Sequence, residues 1–548
     1  MRSADFDKPI DEAIDKTKQE LDELALLEKG KATIEDTKPK DRNSGYPTHV
    51  PRWFTRTVEI VPGIFTWLMI LLPFITALMG YPQVIIIYVS FLTIYWSYRG
   101  VKFLVSLFMG YSRYKHDMAF DFAGEMVKVA KESGQELPYY VYICPVVNEG
   151  MDVLEPTFEA FAKQDIDPKR ISVVFALEER FEAVSKPNAE KIIEKFGSNF
   201  RESMISVHPN DIEGEVLGVK GANINWATRN FVKIVKARGE DIADYLLITA
   251  DSDMRPHPKY LSAITWKYLT DDKPLRRFYS TAIHTFNNNV WRVPPINRVF
   301  SISLTMALFH DWVVRGKKRE TFSSYVVNLQ TVHDVGYWDP QIGIDDTTFY
   351  WNALIRFAGD FSGKEVYIPT YNDAVENQTF WKSHKSLYKQ QHRWGWGIIV
   401  FPMTFAGLYK NKDVPFMTKM RMIFRVTENQ LLFLTVVYTI TLSLPILQIF
   451  SIEYQYSAAS YNLARMMRYI LTVLMFFNIP IFMIRQKITP SPSNWPLWRK
   501  ILDFFEVVLV SINMLTIGFI PKIHAQTEML LNRFNKKYYA TEKVAIKK

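Results

Sequence analysis

The chain has 548 residues, 48% of them hydrophobic and 15% aromatic, with 66 basic against 57 acidic side chains, a net charge of +9 and a single cysteine. At roughly 150 residues per domain this allows two to four units with true cores and excludes a minimal peptide-like scaffold. The lone Cys144 has no internal disulfide partner and offers no thiolate cluster for zinc or iron–sulfur binding, so a reducing compartment and a cysteine-free site are expected.

Average hydropathy is close to neutral because two compositions are mixed. Some stretches are nearly free of charge for about twenty residues, enough to cross a ~30 Å hydrocarbon layer as helix. An integral membrane protein with a large water-facing domain is the expectation.

Residues 1–50 read as a polar cytosolic tail. The first 45 carry nine basic and twelve acidic side chains and no apolar signal-peptide core. Ile10, Ile14, Thr17, Leu21 and Leu24 recur at helical steps before Gly30, which suits a short amphipathic helix or a solvated tail. Residues 51–108 hold a transmembrane hairpin, 58–80 and 82–96, joined at Met79-Gly80-Tyr81-Pro82. Arg52 and Arg56 precede it and Arg99, Lys102, Arg113 and Lys115 follow, so the positive-inside bias puts both ends in the cytosol.

Residues 109–395 have the composition of an α/β domain. The runs 140–144, 171–177 and 245–250 read as buried parallel strands. In open parallel sheets the ligand crevice lies beyond the carboxyl ends of the strands, so the polar residues after these runs are candidates for chemistry. Past residue 395 the chain turns apolar again. Residues 396–428 suit helices in the interface plane, 394–409 being too short to span and 413–426 basic and amphipathic. Residues 429–521 hold membrane segments, with spans over 431–450 and 469–484. The stretch 504–521 contains Glu506 and precedes a basic tail, 522–548, with seven basic and two acidic residues. A third full crossing there would export that tail, so 504–521 is expected to dip into the membrane or lie along it.

Asp251-Ser252-Asp253 follows the third strand run, and a two-residue spacing on extended chain points both carboxylates the same way. Two hard oxygen ligands, with diphosphate oxygens completing the shell, suit Mg²⁺ or Mn²⁺; an isolated triplet of this kind is more often an ordinary loop. Asn148-Glu149 and Glu178-Glu179 follow the first two strands and are candidates for the base and sugar of a nucleotide, or plain solvent-facing loops. Lys220-Gly221-Ala222-Asn223-Ile224-Asn225 offers a cation and small residues before a helix starting near Trp226. Asp345-Asp346 precedes a helical run over 347–357; either could be an N-cap, or one could be a base. Gln390, Arg393 and Trp394, spaced i, i+3, i+4, share one helix face where an indole could stack on a sugar; with Trp396 they could equally anchor an aromatic belt.

Taken in order, these motifs resemble the membrane-embedded, processive branch of the family 2 inverting glycosyltransferases, the group of cellulose, chitin and hyaluronan synthases. The likeness covers about residues 135–430. The run Gln390-x-x-Arg393-Trp394 is similar to that branch's signature, and Tyr538-Tyr539-Ala540-Thr541-Glu542-Lys543 looks like its gating segment. Glu178-Glu179 stands where relatives usually show Asp-Asp. The resemblance implies a GT-A (Rossmann-like) domain between transmembrane helices, metal-dependent, taking a nucleotide sugar such as a UDP-sugar at the cytosolic face of the cell membrane. Asn148, Glu149, Glu178 and Lys220 would lie near the nucleoside diphosphate, and Asp251 and Asp253 in the metal and donor region. Asp346 would be the general base, and Gln390, Arg393 and Trp394 would border the acceptor; Phe286 and Asn287 to Asn289 fall where the family lines its pocket. The expected product is a polysaccharide extended processively. A non-processive transfer to a lipid-linked or glycolipid acceptor and a catalytically silent membrane scaffold are the alternatives. The basic excess lies beside the spans, where anionic lipid is the simpler partner, and no nucleic-acid-reading motif is present.

Overall fold

The three apolar runs form the middle of a seven-stranded sheet in the computed structural model, which describes residues 46–47, 49–432 and 434–534. The expected amphipathic helix near residue 14 and the gating-like segment 538–543 lie outside the described residues. The runs become β1 (Tyr139–Val146), β2 (Ile171–Glu178) and β4 (Tyr245–Thr249). Each is almost wholly buried, as continuous apolar runs must be when helices cover both faces.

The sequence reading missed the flanking strands β3 (Glu202–His208), β6 (Arg277–Thr281), β8 (Tyr325–Asn328) and β9 (Ser362–Val366). The sheet order is β3-β2-β1-β4-β8-β6-β9. Its first four strands run parallel, and β8 enters antiparallel to both β4 and β6. This Rossmann-like half with a mixed extension fits the α/β class expected from the sequence. A small three-stranded sheet, β5 (Arg255–Pro256), β10 (Thr370–Tyr371) and β7 (His284–Thr285), sits just past the end of β4. The core between sheet and helices holds Tyr142, Phe158, Phe175, Ile248 and Tyr279, all essentially inaccessible.

Four helical stretches are long and apolar enough to cross a membrane: Arg52–Leu78, Pro82–Ala119, Ala458–Ile488 and Leu497–Leu530. The pair Phe416–Leu432 and Val436–Phe450, bent by 47° at its break, makes a fifth if counted as one. Large apolar side chains on these stretches face outward, among them Ile87, Phe91, Val473 and Met475. The first hairpin turns at Gly80, whose φ of +74° is the left-handed conformation that glycine adopts without cost.

One expectation changes here. The helix Val400–Leu408, read as lying in an interface plane, is buried by the helices Arg52–Leu78 and Asp345–Arg356, so protein and not lipid covers its apolar side chains. The stretch 504–521 belongs to Leu497–Leu530, long enough to cross, and is broken around 506–508 and 516–519. The acidic side chain within it is neutralised by protein. Glu506 takes both oxygens to Arg298, at 2.8 and 2.5 Å, and one also to Arg499 at 2.9 Å. Arg298 sits on the helix Pro295–Arg315, which packs on Pro82–Ala119 and so joins the α/β domain to the apolar helices.

Glu506→Gln removes the carboxylate that buried Arg298 shares with Arg499, and we expect a loss of about 3–5 kcal/mol in stability, read as a lowered Tm in detergent. The double substitution Arg298→Met with Glu506→Leu should recover much of that loss. An unchanged Tm in Glu506→Gln would show that this ion pair does not hold the domain to the helices.

Candidate active site

The loop after β4 brings the first carboxylates into position. Asp251 to Asp253 do not continue the extended strand. Met254 N–H donates to the Asp251 carbonyl at 3.1 Å and closes a turn, so the alternation expected of extended chain does not apply. Both carboxylates nevertheless line one cavity of about 1280 Å³. Asp253 is buried and its Oδ2 accepts the Asp373 N–H at 3.0 Å; Asp251 accepts from Lys220 Nζ at 2.8 Å.

Lys220 is the first residue of the helix Lys220–Ala237, so 220–225, expected as a loop, are its opening turns. The reason is tertiary. Gly218 (φ +86°) turns the chain, and Gly221 then lets the helix end approach the Asp345 region. A Cβ at Gly221 would sit 3.0 Å from the Asp339 carbonyl and 3.1 Å from Asp345 Cβ. The small residue therefore serves a protein contact that places Lys220 among acids. Burial opposes the Lys220 charge, yet Asp251, Asp345 and Asp346 hold its pKa above the ordinary lysine value.

The helix Asp345–Arg356 has Ile344 as its N-cap, so neither aspartate plays the capping role. Asp346 accepts the Thr347 N–H at 2.7 Å, and its own carbonyl accepts from Thr321 Oγ1 at 2.6 Å. Burial, then the neighbouring Asp345 charge, pushes the Asp346 carboxyl up to about 6, against the lowering pull of Thr347 N–H and Lys220. Such a carboxylate is poised near neutrality to accept a proton.

Gln390, Arg393 and Trp394 lie on the helix Phe380–Gly395, and all three line the same cavity. Trp394 meets Phe322 edge-on at 5.9 Å, and Trp396 is buried in protein, so this pair is not a lipid-facing belt. Glu178, buried at the end of β2, lines the cavity and pairs with Arg180 at 2.7 Å. Glu149 lines it too, its carboxylate accepting the N–H groups of Val147 and Asn148. Asn148 departs from expectation. It is exposed and outside the cavity lining, because the loop folds onto Glu149 and turns residue 148 outward.

Several cavity residues carried no signal in the sequence. His284, on β7, lies between the rings of Phe286 and Phe322, and burial lowers its pKa to about 4, so it is neutral at pH 7. Asp373, Glu376 and Arg292 also line the cavity, Glu376 meeting Asn289 at 3.0 Å and Arg292 at 3.6 Å. Asn288 donates to the Asp253 carbonyl at 3.1 Å and Asn289 to the Ala374 carbonyl at 3.0 Å, so these asparagines knit the loop 286–290 to 371–376. The two-residue strands beside them have no periodicity to detect. For a divalent cation, the donor set of Asp251 and Asp253 fits an oxygen-liganded ion whose shell is completed by substrate phosphates. Among the described residues no third acid or histidine closes a cage around this pair.

No family model matches the chain and no curated protein sequence matches it. Solved structures do resemble it. The mannosyltransferase PcManGT from Pyrobaculum calidifontis, in complex with GDP-Man and Mn²⁺, overlaps 76% of this chain and 99% of its own at 11% identity and a TM-score of 0.37. S. aureus TarS 1-349 with UDP-GlcNAc overlaps 70% and 92% at 13% identity, TM-score 0.30. Glucosyl-3-phosphoglycerate synthase from Mycobacterium tuberculosis overlaps 50% and 84% at 11% identity, TM-score 0.28. At such scores the functional reading rests on the chain's own site.

Gly221→Val should cost about 1–3 kcal/mol, because the Asp339 carbonyl and the Asp345 Cβ, fixed to the backbone, cannot yield as a flexible side-chain end would. Thermal unfolding in detergent measures it, and a wild-type Tm would show that this approach is looser than it looks.

Proposed function

We propose that the chain is an inverting glycosyltransferase that takes a nucleotide sugar, in the first instance a UDP-sugar, and extends a glycan at the cytosolic face of a membrane. One observation carries the reading. Asp253, Lys220, Asp346, Arg393 and Trp394, which come from distant parts of the chain, line a single cavity that continues between the apolar helices to Phe477, Ile481 and Arg485.

In this reading Glu178 and Glu149 border the nucleoside, and Lys220 offers a fixed positive charge to the leaving diphosphate. A divalent cation held by Asp251 and Asp253, Mg²⁺ or Mn²⁺, would neutralise charge building on that leaving group. Asp346 accepts the proton of the acceptor hydroxyl as its oxygen attacks the sugar carbon on the face opposite the diphosphate. One displacement inverts the configuration and needs no covalent intermediate. Trp394 gives the acceptor sugar an apolar shelf, while Arg393 and Gln390 offer donors to its hydroxyls or to the diphosphate.

The far half of the cavity favours a second acceptor class as well. Leu434, Val437, Leu474 and Ile481 present aliphatic surface there, suited to the chain of a lipid-linked acceptor. Aromatic and polar groups in the same half, Phe482, Asn478 and Ser511 among them, suit a growing glycan.

Detergent-purified protein with Mg²⁺ or Mn²⁺ should release nucleoside diphosphate from one of a panel of nucleotide sugars. Polymer in the aqueous phase supports glycan extension, and label extracted into organic solvent supports the lipid acceptor. Asp346→Asn should lower kcat by roughly 10²–10⁴-fold. Wild-type kcat/KM should fall as pH drops through about 6, where Asp346 takes up a proton and can no longer act as base. If no nucleotide sugar yields more diphosphate than the Asp346→Asn protein, the chain is a silent scaffold.

A further inference from the structure

On the face of the Phe380–Gly395 helix beside the Ile520–Leu530 helix stands a second cluster, separate from the cavity carboxylates. His392 on the first helix meets His524 and Glu528 on the second. His524 and Glu528 are four residues apart and so share one helix face. His392 Nε2 lies 2.9 Å from one Glu528 oxygen and His524 Nε2 lies 3.4 Å from the other. The two imidazole rings are 4.4 Å apart, and a ligand atom from each of the three residues falls within 4.8 Å of both others. Among the described residues no other three histidine, cysteine or acidic side chains converge in this way.

We propose that His392, His524 and Glu528 bind a borderline divalent transition-metal ion, Zn²⁺ being the best match. Two imidazole nitrogens with one carboxylate select such an ion over Mg²⁺, whose preference is for oxygen. A tetrahedral ion with bonds of about 2.0–2.2 Å holds its ligand atoms roughly 3.3 Å apart, and the three ligand atoms already within 4.8 Å of one another would draw in around it. The fourth position is left to water, and the half-exposed His524 gives the ion a path from solvent. Tyr388, one turn before His392, places its hydroxyl 3.4 Å from His524 Nδ1, where it orients the ring from the outer shell.

Such an ion pins together two helices already in close approach. A Cβ at Gly395 would lie 3.1 Å from Lys522 Cα, the Pro521 carbonyl and Ala525 Cβ. One helix carries Gln390, Arg393 and Trp394, and the other carries Lys522, which lines the cavity as well. The ion would thus fix the spacing of the acceptor side of the cavity without touching substrate, and its binding does not depend on the chain transferring sugar.

The test uses the full chain in detergent, stripped with chelator, loaded with Zn²⁺ in millimolar Mg²⁺, passed through gel filtration and assayed for metal by mass spectrometry. We expect about one Zn²⁺ retained per chain and a Tm raised by Zn²⁺. His524→Ala, Glu528→Gln and His392→Ala should each weaken binding by more than roughly 100-fold, and Tyr388→Phe by roughly 10-fold. Co²⁺ should give the intense visible bands of a four-coordinate nitrogen-containing site in the wild type and lose them in His524→Ala. Asp253→Asn, which alters the oxygen site only, should retain Zn²⁺ and the Co²⁺ bands. Wild-type Zn²⁺ retention no greater than that of His524→Ala, or Co²⁺ bands unaffected by that substitution, would show the trio to be a hydrogen-bonded contact and overturn the assignment.

Discussion

Everything at the carboxyl edge of the sheet depends on one half-buried cation. Lys220 stands among Asp251, Asp345 and Asp346, in a cavity where charges interact more strongly than in water. Three carboxylates so close would repel one another or take up protons without it. Their shared counter-ion lets the loop after β4 and the end of the Asp345 helix converge. Gly221 makes the convergence possible, since any side chain there would push Lys220 away from the acids it balances. A residue read as a loop glycine near a ligand thus sets the electrostatics of the whole site.

The same logic of paired charge governs the apolar half. Arg298 with Glu506, and Arg485 with Asp503, place ionic groups among helices long and apolar enough to cross a membrane. Each pair satisfies hydrogen-bonding groups that would otherwise be stranded at a cost of several kcal/mol. Arg298 belongs to the α/β domain and Glu506 to the helical one, so the two halves are held by a directional contact as well as by apolar packing. The cavity crosses the join, and its two ends share walls made by both halves. The cavity at Asp346 therefore forms one continuous space with the apolar helices.

Much of this was legible in the residues alone. Strands β1, β2 and β4 showed as continuous apolar runs because strands buried on both faces must be apolar at every position. Polar motifs just after them marked the site because loops at strand ends are where a parallel sheet exposes its crevice. The hairpin 58–96 and the helical face of Gln390, Arg393 and Trp394 followed from length and spacing. Less legible were β3, mostly half-buried without a regular alternation, and the short strands β5, β7 and β10, too brief for any period to register.

Other features had no local signature because they are relations between distant segments. His284, Asp373 and Glu376 become cavity residues only when β10 pairs with β7 and β5. Asn148 is turned outward by a carboxylate on the next residue, and the segment 400–408 is covered by helices far from it in the chain. The trio His392, His524 and Glu528 spans more than a hundred residues. Composition, period and spacing by themselves determined the α/β class, the apolar helices and the acids destined for one edge of the sheet, since these record burial and local geometry. Which side chains face each other across the cavity was decided by tertiary packing alone, since close approach between remote helices depends on the volume and charge of both partners.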